Sequence, residues 1–166
     1  VEMRLLPAAL VLTIVVSGTM AADIPSKFFG KFVLERSENF DEFLTAKGVG
    51  WFTRQIIKLA SVTKVFAKGA EAGTYDMENL SSKKNVKYSG WRLGQKFEGE
   101  GLDSTKHEIT FDYNAAADEV TEHHVRVEQK DFTPETYHYT ITEDNAHLVL
   151  RMAFNDITCR RFFKRQ

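Results

Sequence analysis

Only one cysteine, Cys159, and three prolines occur in 166 residues, and neither sign of charge dominates. A lone cysteine excludes an internal disulfide framework, so stability has to come from a core, which a chain of this length can bury. The net charge of −1 gives no field that would attract nucleic acid. Sparse proline together with 43% hydrophobic residues excludes a disordered chain. Long apolar runs are also lacking, with one exception. Arg4 is followed by Leu5 to Val16 and then by the small residues Ser17, Gly18, Ala21 and Ala22. That run is short of the ~20 residues a spanning helix needs and reads as a secretory signal peptide over 1–21, cut after Ala21 or Ala22. The mature chain, 22–166, is expected to be one domain and extracellular.

Catalytic signatures are missing as well. No Ser-His-Asp set or glycine-rich phosphate loop is present, and no base is paired with Cys159, which reads as a packed small side chain. In Glu122-His123-His124 the two imidazoles point to opposite faces of a strand and cannot easily share a metal. The reading is therefore no enzyme, no cofactor, no metal site and no nucleic-acid partner.

What is present is strand-like sequence, repeated. Ten segments are bounded by turn residues: 30–36, 62–68, 74–80, 85–91, 95–100, 106–113, 119–128, 135–142, 147–154 and 157–165. Alternation is clear in several. Ile109, Phe111 and Tyr113 share a face, and Leu148, Leu150 and Met152 share another. Connections this short join antiparallel neighbours in an up-and-down meander. The fold class is all-β, a ten-stranded antiparallel barrel wide enough to hold a small ligand.

One stretch departs from this pattern. NFDEFLTAKGVGWFTRQ, 39–55, reads as two short helices around Gly48 and Gly50. Ser37 or Asn39 can cap the first, with Asp41 and Glu42 in its first turn. Trp51, Ile56, Ile57 and Leu59 form the apolar set of the second. Neither is long enough to be stable alone, so the pair is expected to pack over the open end of the barrel, between the first two strands. Lys47, Arg54 and Lys58 fit either a solvated face or a transient basic contact with anionic membrane; three charges give limited attraction.

The run from Phe28 to Gln55, FFGKFVLERSENFDEFLTAKGVGWFTRQ, resembles the N-terminal signature of the fatty-acid-binding proteins, the intracellular lipid-binding branch of the calycins. LGQKFEGEGLDSTKHEITF at 93–111 and the closing CRRFFKRQ agree in order. GVGWFTRQIIKLA, YDMENLSSKK and the leader are similar to the secreted nematode members. The resemblance implies a flattened barrel with a helix-turn-helix lid at a portal. It also implies one long-chain fatty acid held inside, no catalysis, and a monomer.

Arg161 carries the chemistry. By alternation it shares a face with Ile157, Cys159 and Phe163, and a buried guanidinium needs an anion. The family's carboxylate-binding Arg-x-Tyr falls on Arg161-x-Phe163, so the tyrosine hydroxyl is missing. A second arginine carried by many members on the eighth strand has no counterpart in YHYTI; Tyr139 or Thr140 stands there instead. Their absence leaves room for a retinoid. His123, grouped with Thr121 and Val125, is a candidate polar lining residue. Phe32, Phe40, Phe43, Leu44, Phe111, Leu150, Met152 and Phe163 are the expected apolar lining, with Arg54 at the lid. Asn79-Leu80-Ser81 is an N-glycosylation sequon. A third reading is an extracellular interaction protein whose barrel is filled by its own aromatics, motivated by 13 Phe.

Overall fold

The computed structural model describes residues 22–128 and 132–166. The leader, 1–21, lies outside the described residues. Strand β1 spans Gly30–Glu38, and helices α1, Phe40–Ala46, and α2, Trp51–Lys58, follow it. Then come β2 (Val62–Lys68), β3 (Tyr75–Ser81), β4 (Val86–Trp91), β5 (Phe97–Glu100) and β6 (Lys106–Asn114). Strands β7 (Glu119–Arg126), β8 (Glu135–Ile141), β9 (His147–Phe154) and β10 (Ile157–Arg165) complete the chain.

The strands form one antiparallel sheet in the order β4-β3-β2-β1-β10-β9-β8-β7-β6-β5. Sequential neighbours pair except β4 with β5, and β1 pairs also with β10, which joins the two ends of the chain with Phe32 opposite Arg165 and Ser37 opposite Arg161. Strands β4 and β5 are left facing each other without a backbone ladder, so the barrel is nearly closed. Side chains span that seam. Tyr88 and Phe97 meet edge to face at 5.5 Å, and the Tyr88 hydroxyl donates to the Glu100 carbonyl at 2.9 Å.

Alternation sets the inner face. Val62 and Phe66, Val120, and Leu148, Leu150 and Met152 are all buried. Tight turns use left-handed residues of the types that tolerate it, such as Asn145 (φ 56°) and Asn155 (φ 50°). The end of the barrel opposite the helices is packed solid. Phe28, from a short turn at Ser26–Phe28, plugs it, and Trp91 stacks on Phe111 with centroids 4.0 Å apart.

At the other end the two helices form the lid. Gly48 (φ 80°) ends α1 in a conformation that suits glycine. Asn39 holds the N-cap position, but its left-handed backbone (φ 54°) turns the amide away from α1, and it donates to the Thr158 carbonyl at 3.1 Å. Phe43 and Leu44 bury the inner face of α1 against β10 and β9. Helix α2 is held mainly by charge. Arg54 donates to Asp41 at 3.3 Å and to the Val49 carbonyl at 2.8 Å, and Lys58 reaches the same carboxylate at 3.2 Å. The expected apolar set of α2 is mostly turned outward, with Trp51 67%, Ile56 38% and Leu59 87% exposed, and Phe52 beside them is 72% exposed. Only Ile57 of that set faces the interior, because α2 lies on α1 and not on the sheet.

Candidate functional site

Beneath the lid is a cavity of about 480 Å³, within the range of ~300–1,000 Å³ typical of small-molecule sites. Its roof is Phe40, Phe43 and Leu44 of α1 with Ile57 of α2, and Met77, Leu150 and Met152 continue the apolar wall. Two cations enter this wall from strands on either side of β1.

Arg161, from β10, lies over the Phe40 ring at 4.1 Å, and its Nε donates to the Ser37 hydroxyl at 3.2 Å. Burial lowers its pKa to about 10, which still leaves it charged. Lys64, from β2, is 6% exposed. Its ammonium faces the rings of Tyr139 and Phe163 at 5.3 and 6.0 Å; Arg161 is 5.8 Å from the same Phe163 ring. Burial is the main cause that brings Lys64 down to about 8; the Glu122 carboxylate pulls it back up and Arg161 pushes it lower. Among the described residues, neither cation makes an ion pair with a carboxylate.

The opposite wall is acidic and imidazole-rich. Glu122 is buried on β7, and burial alone would raise its pKa. The hydrogen bond and field of His124, the charge of Lys64 and the Tyr139 hydroxyl outweigh that and hold it below the ordinary value. His124 Nε2 is 2.7 Å from Glu122, Tyr139 donates to the other carboxylate oxygen at 2.5 Å, and His124 Nδ1 meets His107 Nδ1 at 3.2 Å. His107 in turn reaches Asp103 at 3.1 Å, beside Arg126 at 2.7 Å from the same carboxylate. A polar line thus runs from the buried interior to the β5–β6 loop.

No family model matches the chain. Individual relatives do. "Fatty acid-binding protein homolog 3" of Caenorhabditis elegans is 57% identical over 145 residues, covering 87% of this chain and 86% of the relative. The chain belongs to the fatty-acid-binding proteins. The "Fatty acid-binding protein homolog" of Ascaris suum is 43% identical across 99% of this chain and all of its own length. The solved structure of "As-p18, an extracellular fatty acid binding protein" superposes with a TM-score of 0.82 at 44% identity, covering 87% of this chain and 100% of As-p18.

In this fatty-acid-binding protein the residues expected from sequence divide into three groups. Phe40, Phe43, Leu44, Leu150, Met152 and Arg161 line the cavity. Phe32, Phe111, Phe163 and Tyr139 point inward but are fully buried in the packed core, so they support the cavity without lining it. His123 and Thr140 are corrections. The inward face of β7 is Val120, Glu122 and His124, so His123 turns out and meets the Thr136 hydroxyl at 2.8 Å. Thr140, next to inward Tyr139, is likewise on the outer face. Arg54 braces the lid and does not reach the cavity.

Asn79 is a correction of another kind. It is 4% exposed, lies opposite Lys64 in register and lines the cavity, so its amide is not a surface acceptor for sugar. Sequence reading also misses Lys64, Glu122 and His124. The signal is present: Lys64 alternates with Val62 and Phe66, and Glu122 and His124 alternate with Val120.

Asp103 anchors the outer end of the polar line. Its partial burial raises the pKa, but hydrogen bonds from the Thr105 side chain and backbone and from His107 outweigh this and bring it to about 2. A carboxylate depressed in the folded state stabilises the fold above its unfolded pKa, and that stabilisation is lost as pH falls through the folded value. Asp103→Asn is expected to cost about 1 kcal/mol at pH 6, after discounting for exposure, and close to nothing near pH 2. Urea unfolding at the two pH values measures the difference; an equal cost at both would show that the charge is not what matters.

Proposed function

We propose that this protein is a secreted, non-enzymatic carrier that holds one long-chain fatty acid in the barrel, tail under the lid and carboxylate between Arg161 and Lys64. The observation that carries this reading is that, of the cations lining a largely apolar cavity, Arg161 and Lys64 make no ion pair with a carboxylate among the described residues. Charge buried without a counter-ion is costly, and a lipid carboxylate supplies that counter-ion by charge-assisted hydrogen bonds. Burial of the tail contributes most of the affinity, at about 0.8 kcal/mol per methylene gross. The printed names of the relatives agree with fatty acid as cargo, and the signal-like leader and the extracellular As-p18 support secretion. Two cations favour an acid over the neutral retinol that the missing hydroxyl at Phe163 leaves open. An open cavity disfavours the interaction-protein reading, since aromatics fill only the end away from the lid. The exposed Trp51, Phe52 and Leu59 beside Lys58 give the lid a patch suited to brief contact with a bilayer during delivery.

Titration with a fluorescent fatty acid tests the reading. Saturable binding displaced by oleate is expected, and Arg161→Leu is expected to weaken oleate by about 1.5–3 kcal/mol, roughly ten- to a hundredfold. Oleate affinity unchanged by the substitution would place the head group elsewhere.

A further inference from the structure

We propose that Lys64 also captures long-chain aliphatic aldehydes, as a reversible imine formed inside the cavity. The inference rests on the cavity being a lipid site. Only two lysines line it among the described residues, Lys47 and Lys64. Lys47 is ion-paired with Glu135, whereas the Lys64 amine faces two aromatic rings and makes no ion pair among the described residues.

Desolvation and a neighbouring cation are the two conditions that turn a lysine into a nucleophile toward carbonyls, and Lys64 has both. Its burial and the Arg161 field bring it to about 8 from the ordinary 10.5. At pH 7 that leaves roughly a tenth of the amine neutral, against about 0.03% for an ordinary lysine. An aldehyde with a fatty tail seats its chain under the lid as an acid would, which brings its carbonyl carbon to the polar end of the cavity.

The chemistry balances without a co-reactant. The Lys64 nitrogen pair forms the C–N bond, the carbonyl π pair moves to oxygen, and one nitrogen proton transfers to that oxygen to give a carbinolamine. The second nitrogen proton leaves with the hydroxyl as water, and the C=N bond closes. Nothing is oxidised or reduced. Glu122, held ionised nearby, is the counter-ion for the imine in its protonated form. The lid limits the water that would reverse the step.

The test is incubation of the purified chain with hexadecanal and sodium cyanoborohydride, followed by intact mass and peptide mapping. One hexadecyl group per chain is expected, located on Lys64 and formed at least tenfold faster than on any surface lysine. It should be suppressed by excess oleate and absent from Lys64→Met. Alkylation spread over surface lysines and indifferent to oleate would overturn the inference. A displacement titration with a fluorescent fatty acid on the same preparation separates the two readings. Probe displaced by oleate with no adduct on Lys64 sinks imine capture and leaves the carrier standing. No probe binding at all removes both.

Discussion

Replacing Phe111 with alanine is expected to lower the unfolding free energy by about 3–5 kcal/mol, a fifth or more of what a domain this size has in total. The residue is fully buried, stacks on Trp91 at 4.0 Å and lies nearly parallel to Phe97 at 6.2 Å. Those partners come from β4 and β5, the two strands that lack a common ladder. Phe111, on β6, therefore acts as a brace across the seam as well as core filling. Truncation removes the transfer energy of the ring and leaves a hole that two separate strands must collapse to fill. Urea unfolding followed by tryptophan emission reads both effects. Trp51 is exposed and Trp91 buried, so a red shift in the folded variant would report Trp91 losing its cover. A cost below about 1 kcal/mol would mean that the seam holds without the brace.

The second large effect has the opposite sign. Lys64→Met is expected to stabilise the ligand-free protein by up to about 3 kcal/mol at neutral pH, because a desolvated charge is exchanged for an apolar side chain of similar volume. The folded pKa of Lys64, about 8, lies below the unfolded 10.5, so between those values the unfolded chain binds more protons than the folded one. Wild-type stability then rises with pH across that window. The gain from the substitution is complete below pH 8 and shrinks toward pH 10.5. Paired denaturation curves of the two proteins at pH 7 and pH 10 measure it. A gain that did not change with pH would show that the native amine is solvated. The same variant should bind oleate about tenfold more weakly, since a charge-assisted hydrogen bond to the carboxylate is lost. On the proposed reading, stability surrendered at one buried lysine would be recovered when cargo arrives, the usual relation between a binding site and its fold.

Most of the barrel is legible in the sequence. Each strand begins and ends within two residues of its expected bounds, because short turns and period-two alternation leave little freedom. The interior chemistry is less legible for a physical reason. Pattern reading sends polar residues outward, and here Lys64, Asn79, Glu122 and His124 go inward with the apolar set. On β7 the signal is inverted further, since Val125 sits on the outer face and draws His123 with it. The same logic fails for α2, whose tryptophan and leucine face solvent. Arg161 is legible because its strand neighbours, Cys159 and Phe163, leave no ambiguity about the inner face.

The unladdered seam between β4 and β5 bears on what cargo the protein tolerates. The girth of a fully closed barrel is fixed by its strand number and stagger, and widening it breaks backbone hydrogen bonds. Here the circumference has slack. Opening the seam breaks no ladder; it costs the Tyr88–Phe97 edge contact, one tyrosine hydrogen bond, the Lys84 contacts with Glu100, the Gly101 carbonyl and the Ser104 hydroxyl, and part of the Phe111 stacking that braces the two strands. On the proposed carrier reading, a thicker or longer tail is admitted at that cost, while the head group meets Arg161 and Lys64 on the laddered side. A container built that way would be permissive about chain length and strict about charge.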